Sequence, residues 1–121
     1  MQPRKVLAIF ETPTVFILES STPEVLSALG INPELDLTIL LRKDGVIYSD
    51  KGKKVKAGNG AISAGKAWES IASFFKGKIF AVKEDIEERG ISKSKVVSQI
   101  KPIPKSKVTD LIDRSDTIMI Y

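Results

Sequence analysis

The sequence predicts a single three-layer α/β/α domain built on a mostly parallel sheet of about five strands. Three observations predict it. Short apolar runs of strand character recur at residues 4–10, 36–41, 78–82, 99–103 and 117–121. Segments with helix starts and stops lie between them. The 121 residues suit one domain and show no internal repeat, low-complexity stretch or linker composition. Strands that alternate with helices form parallel sheets covered on both faces.

Residues 4–10 form an apolar run of the kind buried on both faces of a sheet. Glu11-Thr12-Pro13 ends it, with Thr12 placed to cap a helix that Pro13 would open. Residues 14–18 carry opposed signals, because their β-branched content favours strand and the Thr-Pro start favours helix. Thr22-Pro23-Glu24 opens a further helix that stops at Gly30. Residues 36–41 are the second strand. Arg42-Lys43-Asp44-Gly45 is a turn, since Asp-Gly tolerates positive φ. Val46-Ile47-Tyr48 follows as a short strand or helix start.

Residues 50–60, with Lys51, Lys53, Lys54 and Lys56 among glycines, read as a mobile loop. Residues 61–75 give a helix with Ile62, Trp68, Ile71, Ala72 and Phe75 near one face, terminated by Gly77. A strand over 78–82 precedes a short helix over 84–89, which Gly90 stops. That helix starts acidic and ends basic, as the helix dipole favours. Residues 92–98 make a further helical turn, and 99–103 a short strand interrupted by Pro102. Pro104 opens a helix over 105–114 with Val108, Leu111 and Ile112 facing inward. The last run, 117–121, is apolar enough to predict burial.

Composition narrows the chemistry. Apolar residues make up 42 % and charged residues 28 %, ordinary for a globular protein. No stretch approaches the ~20 apolar residues of a membrane span, and the run after Lys5 is too short for a signal peptide. A cytoplasmic protein without a membrane partner is expected. With no cysteine there is no disulfide, thiolate nucleophile or thiolate metal site, and with no histidine the commonest general base and metal ligand is missing. No cofactor and no enzymatic activity of its own are expected. The net charge of +4 comes mainly from lysine, with arginine only at 4, 42, 89 and 114, which argues against a dedicated nucleic-acid reader. Few amides and abundant Lys, Glu and Ile resemble a thermophile composition.

Four patterns invite a chemical reading. Gly60 to Ala67 nearly matches the phosphate loop G-x-x-x-x-G-K-[ST], but Ala67 stands where magnesium needs a hydroxyl. A loop entering a helix, with Gly65 permitting close packing, is the plainer reading. Lys51, Lys53, Lys54 and Lys56 would suit RNA phosphates or an acidic partner, yet no aromatic residue is interleaved to stack bases. Glu84, Asp85, Glu87 and Glu88 sit on one short helix and point in different directions, as a solvated face does. Trp68 and Phe75 lie seven residues apart and suit core packing.

Two segments carry a family resemblance. Lys78 to Ile91 (KIFAVKEDIEERGI) resembles the strand and "EDxxxRG" segment of the DsrE/DsrF/DsrH sulfur-relay superfamily, most like the DsrH/TusB branch. Residues 36–48 (DLTILLRKDGVIY) resemble that branch's second strand and "DGVY" turn, and the ending resembles it too, with Ser115-Asp116 before a last apolar strand. The resemblance implies a small α/β/α domain that assembles with copies of itself or with DsrE/DsrF-like chains in sulfur oxidation or tRNA thiolation. Sulfur-carrying members load a cysteine, and this chain has none, so no catalytic residue transfers.

The leading expectation is a non-catalytic subunit of a sulfur-relay assembly. A second is a small-molecule or nucleotide-binding domain using a crevice at the carboxyl ends of the strands, with Arg42, Lys43, Asp44, Gly45, Glu84 and Asp85 beside it. A third is an RNA-associated protein using the lysine-rich loop.

Overall fold

The computed structural model describes residues 3–12, 32–57, 60–71 and 78–120. Expectations for residues 13–31, and for Ala72, Phe75 and Gly77, lie outside the described residues.

The main sheet contains β1 (Arg4–Phe10), β2 (Leu35–Leu41), β5 (Ile79–Val82), β6 (Lys101–Ile103) and β7 (Thr117–Ile120). Their spatial order is β6-β5-β2-β1-β7, and every pairing is parallel. The fold class and the five strand positions read from the sequence are therefore correct to within two residues at each end. Between β2 and β5 lie a 3-10 helix (Lys43–Ser49), a hairpin of β3 (Lys54–Ala57) and β4 (Gly60–Ser63), and α1 (Ala64–Ile71). α2 (Lys83–Glu88) and a 3-10 turn (Lys93–Lys95) link β5 to β6. A 3-10 turn (Lys105–Lys107) continuing into α3 (Val108–Asp113) links β6 to β7.

The steps β1 to β2, β5 and β6 run in one direction, and the step to β7 returns across the sheet. The connections from β2 to β5 and from β5 to β6 lie on one face and the return to β7 on the other, as a uniform crossover hand demands. On the first face Val6, Ala8, Phe10, Leu37, Ile39 and Leu41 pack against Trp68 of α1, Val46 and Tyr48 of the 3-10 helix, and Ile86 of α2. On the second face Leu7, Ile9, Leu40 and Val82 pack against Val108, with Leu111 and Ile112 of α3 half-buried. Both faces of β1 are thus buried, which is why its sequence reads as a continuous apolar run.

The sequence expectations need correction in five places. Residues 50–60 are not a mobile loop: the lysines mask a polar–apolar alternation, and Lys54–Ala57 pairs antiparallel with Gly60–Ser63. The helix expected from residue 61 starts at Ala64, because Ala61, Ile62 and Ser63 are taken up by that hairpin. The 3-10 helix absorbs both the expected turn and the Val46-Ile47-Tyr48 segment. Positive φ falls on Lys43, at 53°, rather than on the Asp-Gly pair. The last strand is not buried: β7 is an edge strand with Ile118 39 % and Ile120 58 % exposed.

The two edges of the sheet differ. Exposed Lys101 and Pro102 stand on β6, and a lysine and a proline are what sheet edges use to refuse further pairing. β7 reads Thr-Ile-Met-Ile, with no charge and no proline. Its pairing sets Ile118 beside Leu7 and Ile120 beside Ile9, on the face that α3 covers.

Candidate functional site

The carboxyl ends of four strands are stitched together by charged groups. At the end of β1, Glu11 Oε2 accepts from Arg42 Nε at 2.8 Å and from Lys43 Nζ at 3.1 Å. These two cations hold the Glu11 carboxyl below its ordinary value, the Lys43 hydrogen bond contributing most and that from Arg42 next. Beyond β2, the Lys43 backbone N–H donates to Asp85 Oδ2 at 2.7 Å. Asp44 Oδ1 accepts from Arg89 Nη2 at 2.8 Å and Nε at 3.0 Å. That hydrogen-bonded pair raises the Arg89 guanidinium's affinity for its proton. After β6, the Lys105 backbone N–H donates to both oxygens of Glu84, at 2.9 and 3.1 Å.

The two segments that carried the resemblance therefore pack on each other. Lys43 and Asp44 of the first meet Asp85 and Arg89 of the second through short polar bonds. Gly90, at φ 70°, ends α2 in the left-handed conformation. Its N–H donates to the Glu87 carbonyl at 3.0 Å and that of Ile91 to the Ile86 carbonyl at 3.2 Å, the pairing of a Schellman cap. Ser115-Asp116 acts at the opposite end of the sheet. Asp116 Oδ2 accepts from the Lys5 N–H at 2.9 Å, and the Asp116 N–H donates to the Lys5 carbonyl at 2.8 Å, clamping β7 to β1.

Of the residues expected around a crevice, Arg42, Lys43, Asp44, Gly45, Glu84 and Asp85 do gather at one end of the sheet. Their charges are spent largely on one another and on backbone N–H groups. Sequence reasoning missed Glu11 and Arg89 as members of this cluster. The available signal was positional, since Glu11 and Arg42 directly follow the ends of two strands that pair in register. Lys51, Lys53 and Lys54 lie exposed at the start of the hairpin, and Lys56 continues β3.

The near-match to a phosphate loop is not one, because β4 runs straight into α1 without a loop. Gly65 serves close packing: a Cβ there would meet Lys51 Cβ at 3.0 Å, and the Gly65 N–H donates to the Lys51 carbonyl at 3.3 Å. No group of three or more acidic, histidine or cysteine side chains among the described residues is placed to hold a metal. No helix among them is long and apolar enough to cross a membrane.

No protein-family model matches the chain, and no curated protein does. Among solved structures, the crystal structure of the ychN protein from E. coli matches with a TM-score of 0.71, covering 98 % of this chain and 99 % of that one. Sequence identity is 18 %, so the likeness is one of fold. The chain shares the α/β fold of that structure, with a five-stranded parallel sheet and helices.

Proposed function

We propose that this chain is a non-catalytic subunit of an assembly of DsrE/DsrF-like chains, of the DsrH/TusB type. Cysteine-bearing partners would carry the sulfur, in sulfur oxidation or tRNA thiolation. The fold and the two motif segments support the superfamily, and the missing cysteine supports a supporting role. The observation that carries the assembly is the β7 edge. It carries two exposed isoleucines at the end of the strand order and has no charge or proline to repel a second strand. Exposed apolar side chains in a row are what a partner chain covers on assembly.

Size-exclusion chromatography with light scattering, and capture of partners from the native organism, test this together. The expected result is a multimer, or a stable complex with a cysteine-bearing DsrE-like chain. Ile118→Glu with Ile120→Glu should disperse either one while leaving the circular dichroism unchanged. A strict monomer at high concentration that captures no such chain would overturn the reading.

A second reading rests on the exposure of Lys51, Lys53 and Lys54 at the start of one hairpin, which suits RNA phosphates. Fluorescence anisotropy with tRNA tests it. Binding that weakens steeply with salt supports it, and absent or salt-independent binding removes it.

A further inference from the structure

A cleft of about 800 Å³ opens between α2 and the segment leading into β6. Its volume falls in the range of small-ligand sites, roughly 300–1,000 Å³. Ile86, Ile91, Val97, Ile100 and Pro102 form its apolar walls, and no aromatic ring among the described residues lines it. Lys83, Glu87 and Lys93 stand around it.

The cleft is held open by backbone bonds. The Schellman cap fixes the turn at Gly90 and Ile91 on one side. On the other, the Val97 N–H donates to the Ser49 carbonyl at 2.8 Å, and Val96 bridges to Asp50. A site already formed loses little entropy when a ligand enters.

The rim charges select the ligand. Lys83 Nζ lies 4.0 Å from Glu87 Oε1, the outer limit of an ion pair, and Lys93 makes no ion pair among the described residues. Two ammonium groups against one carboxylate leave the rim net positive. The aliphatic walls favour a flexible hydrocarbon chain over a planar ring, which would find nothing to stack on.

We propose that this cleft binds an aliphatic carboxylate, with its chain on the isoleucine and valine walls and its head group between Lys83 and Lys93. The site does not depend on the subunit reading, because Ile118 and Ile120 lie on the opposite face of the sheet from Ile86, Val97 and Ile100.

Methyl NMR titration of the full chain with decanoate, below its micelle concentration, tests the proposal. Saturable shifts are expected at Ile86, Ile91, Val97 and Ile100. Octanoate should bind roughly 15-fold more weakly, at about fourfold per methylene. Decyltrimethylammonium should bind several-fold more weakly than decanoate, and Lys83→Glu with Lys93→Glu should reverse that preference. Ser98 is an exposed residue of the cleft, so Ser98→Trp should fill it and abolish the decanoate shifts without unfolding the chain. Shifts confined to Ile118 and Ile120, equal affinity for both head groups, or indifference to Ser98→Trp would each overturn the proposal. So would binding that appears only when a multimer is diluted to monomer, since the cleft would then be an interface between copies.

Discussion

Gly45 sits against the carbonyl of Phe10 with no room for a side chain. A Cβ at Gly45 would overlap the carbonyl oxygen and lie 2.7 Å from the carbonyl carbon. The same carbonyl accepts from the Arg42 N–H at 3.0 Å, so it is pinned and cannot yield. Gly45→Ala should therefore cost about 3 kcal/mol, the upper end of what overpacking costs. Gly90→Ala should cost about 1 kcal/mol, because the left-handed φ is strained but the space is open. Gly60→Ala meets nothing and should stay within about 0.5 kcal/mol of the parent. Urea midpoints of the three variants should follow that order.

Trp68 gives a second measure of the same packing. The ring is fully buried under the sheet, and its Nε1–H donates to the Tyr48 carbonyl at 2.8 Å. Trp68→Phe keeps an aromatic ring and loses the hydrogen bond, and should cost about 2 kcal/mol. Trp68→Ala should cost about 3–5 kcal/mol. The readout has to be circular dichroism, because the chain has one tryptophan and the variants remove it.

The parallel sheet was legible because burial on both faces writes itself as uninterrupted apolar runs. Residues 6–10 can be nothing else in a chain of this length. β3 and β4 were hidden because a four-residue strand keeps only a brief alternation, and four lysines drowned it. The edge position of β7 was illegible for a different reason: an isoleucine on an edge strand and one in a core are the same letter. At the carboxyl end of the sheet, six members of the cluster could be placed by counting from strand ends. Glu11, one residue past β1, could have been placed the same way, whereas Arg89 could not, because an ion pair between remote segments leaves no local pattern. The apolar cleft also left none, since its walls come from α2, a turn and β6.

Lys43 is held in a left-handed conformation at φ 53°, one that costs an L-residue roughly 1–2 kcal/mol. Its N–H donates to the Asp85 carboxylate at 2.7 Å, a charge-assisted bond that can offset the strain. Asp85→Asn should cost about 2 kcal/mol. Lys43→Gly removes the strain and forfeits only the partly exposed bridge to Glu11, worth less than about 1 kcal/mol, so stability should hold or rise. In the double variant the penalty of Asp85→Asn should shrink, since glycine has less need of the carboxylate. Additive penalties across the double-mutant cycle would show that Asp85 does not support the Lys43 backbone.

Glu11 makes the carboxyl edge sensitive to acid. Arg42 and Lys43 both bond its Oε2, and the pair lowers the carboxyl's pKa in the folded state. A lowered folded value stabilises the fold at every pH above the unfolded carboxyl's value, about 4.3. That contribution is lost as pH falls through the lower, folded value. Glu11→Gln should therefore be less stable than the parent at neutral pH, by an amount on the order of 1 kcal/mol for partly exposed ion pairs. The difference should be constant from pH 7 to about 5 and close progressively below that. Added salt should narrow it at pH 7, because the pairs are reached by solvent. Urea midpoints of both proteins at pH 7, 5 and 2.5, with and without salt, decide the matter. A difference that persists undiminished at pH 2.5 would mean that Glu11 acts through packing rather than through its charge.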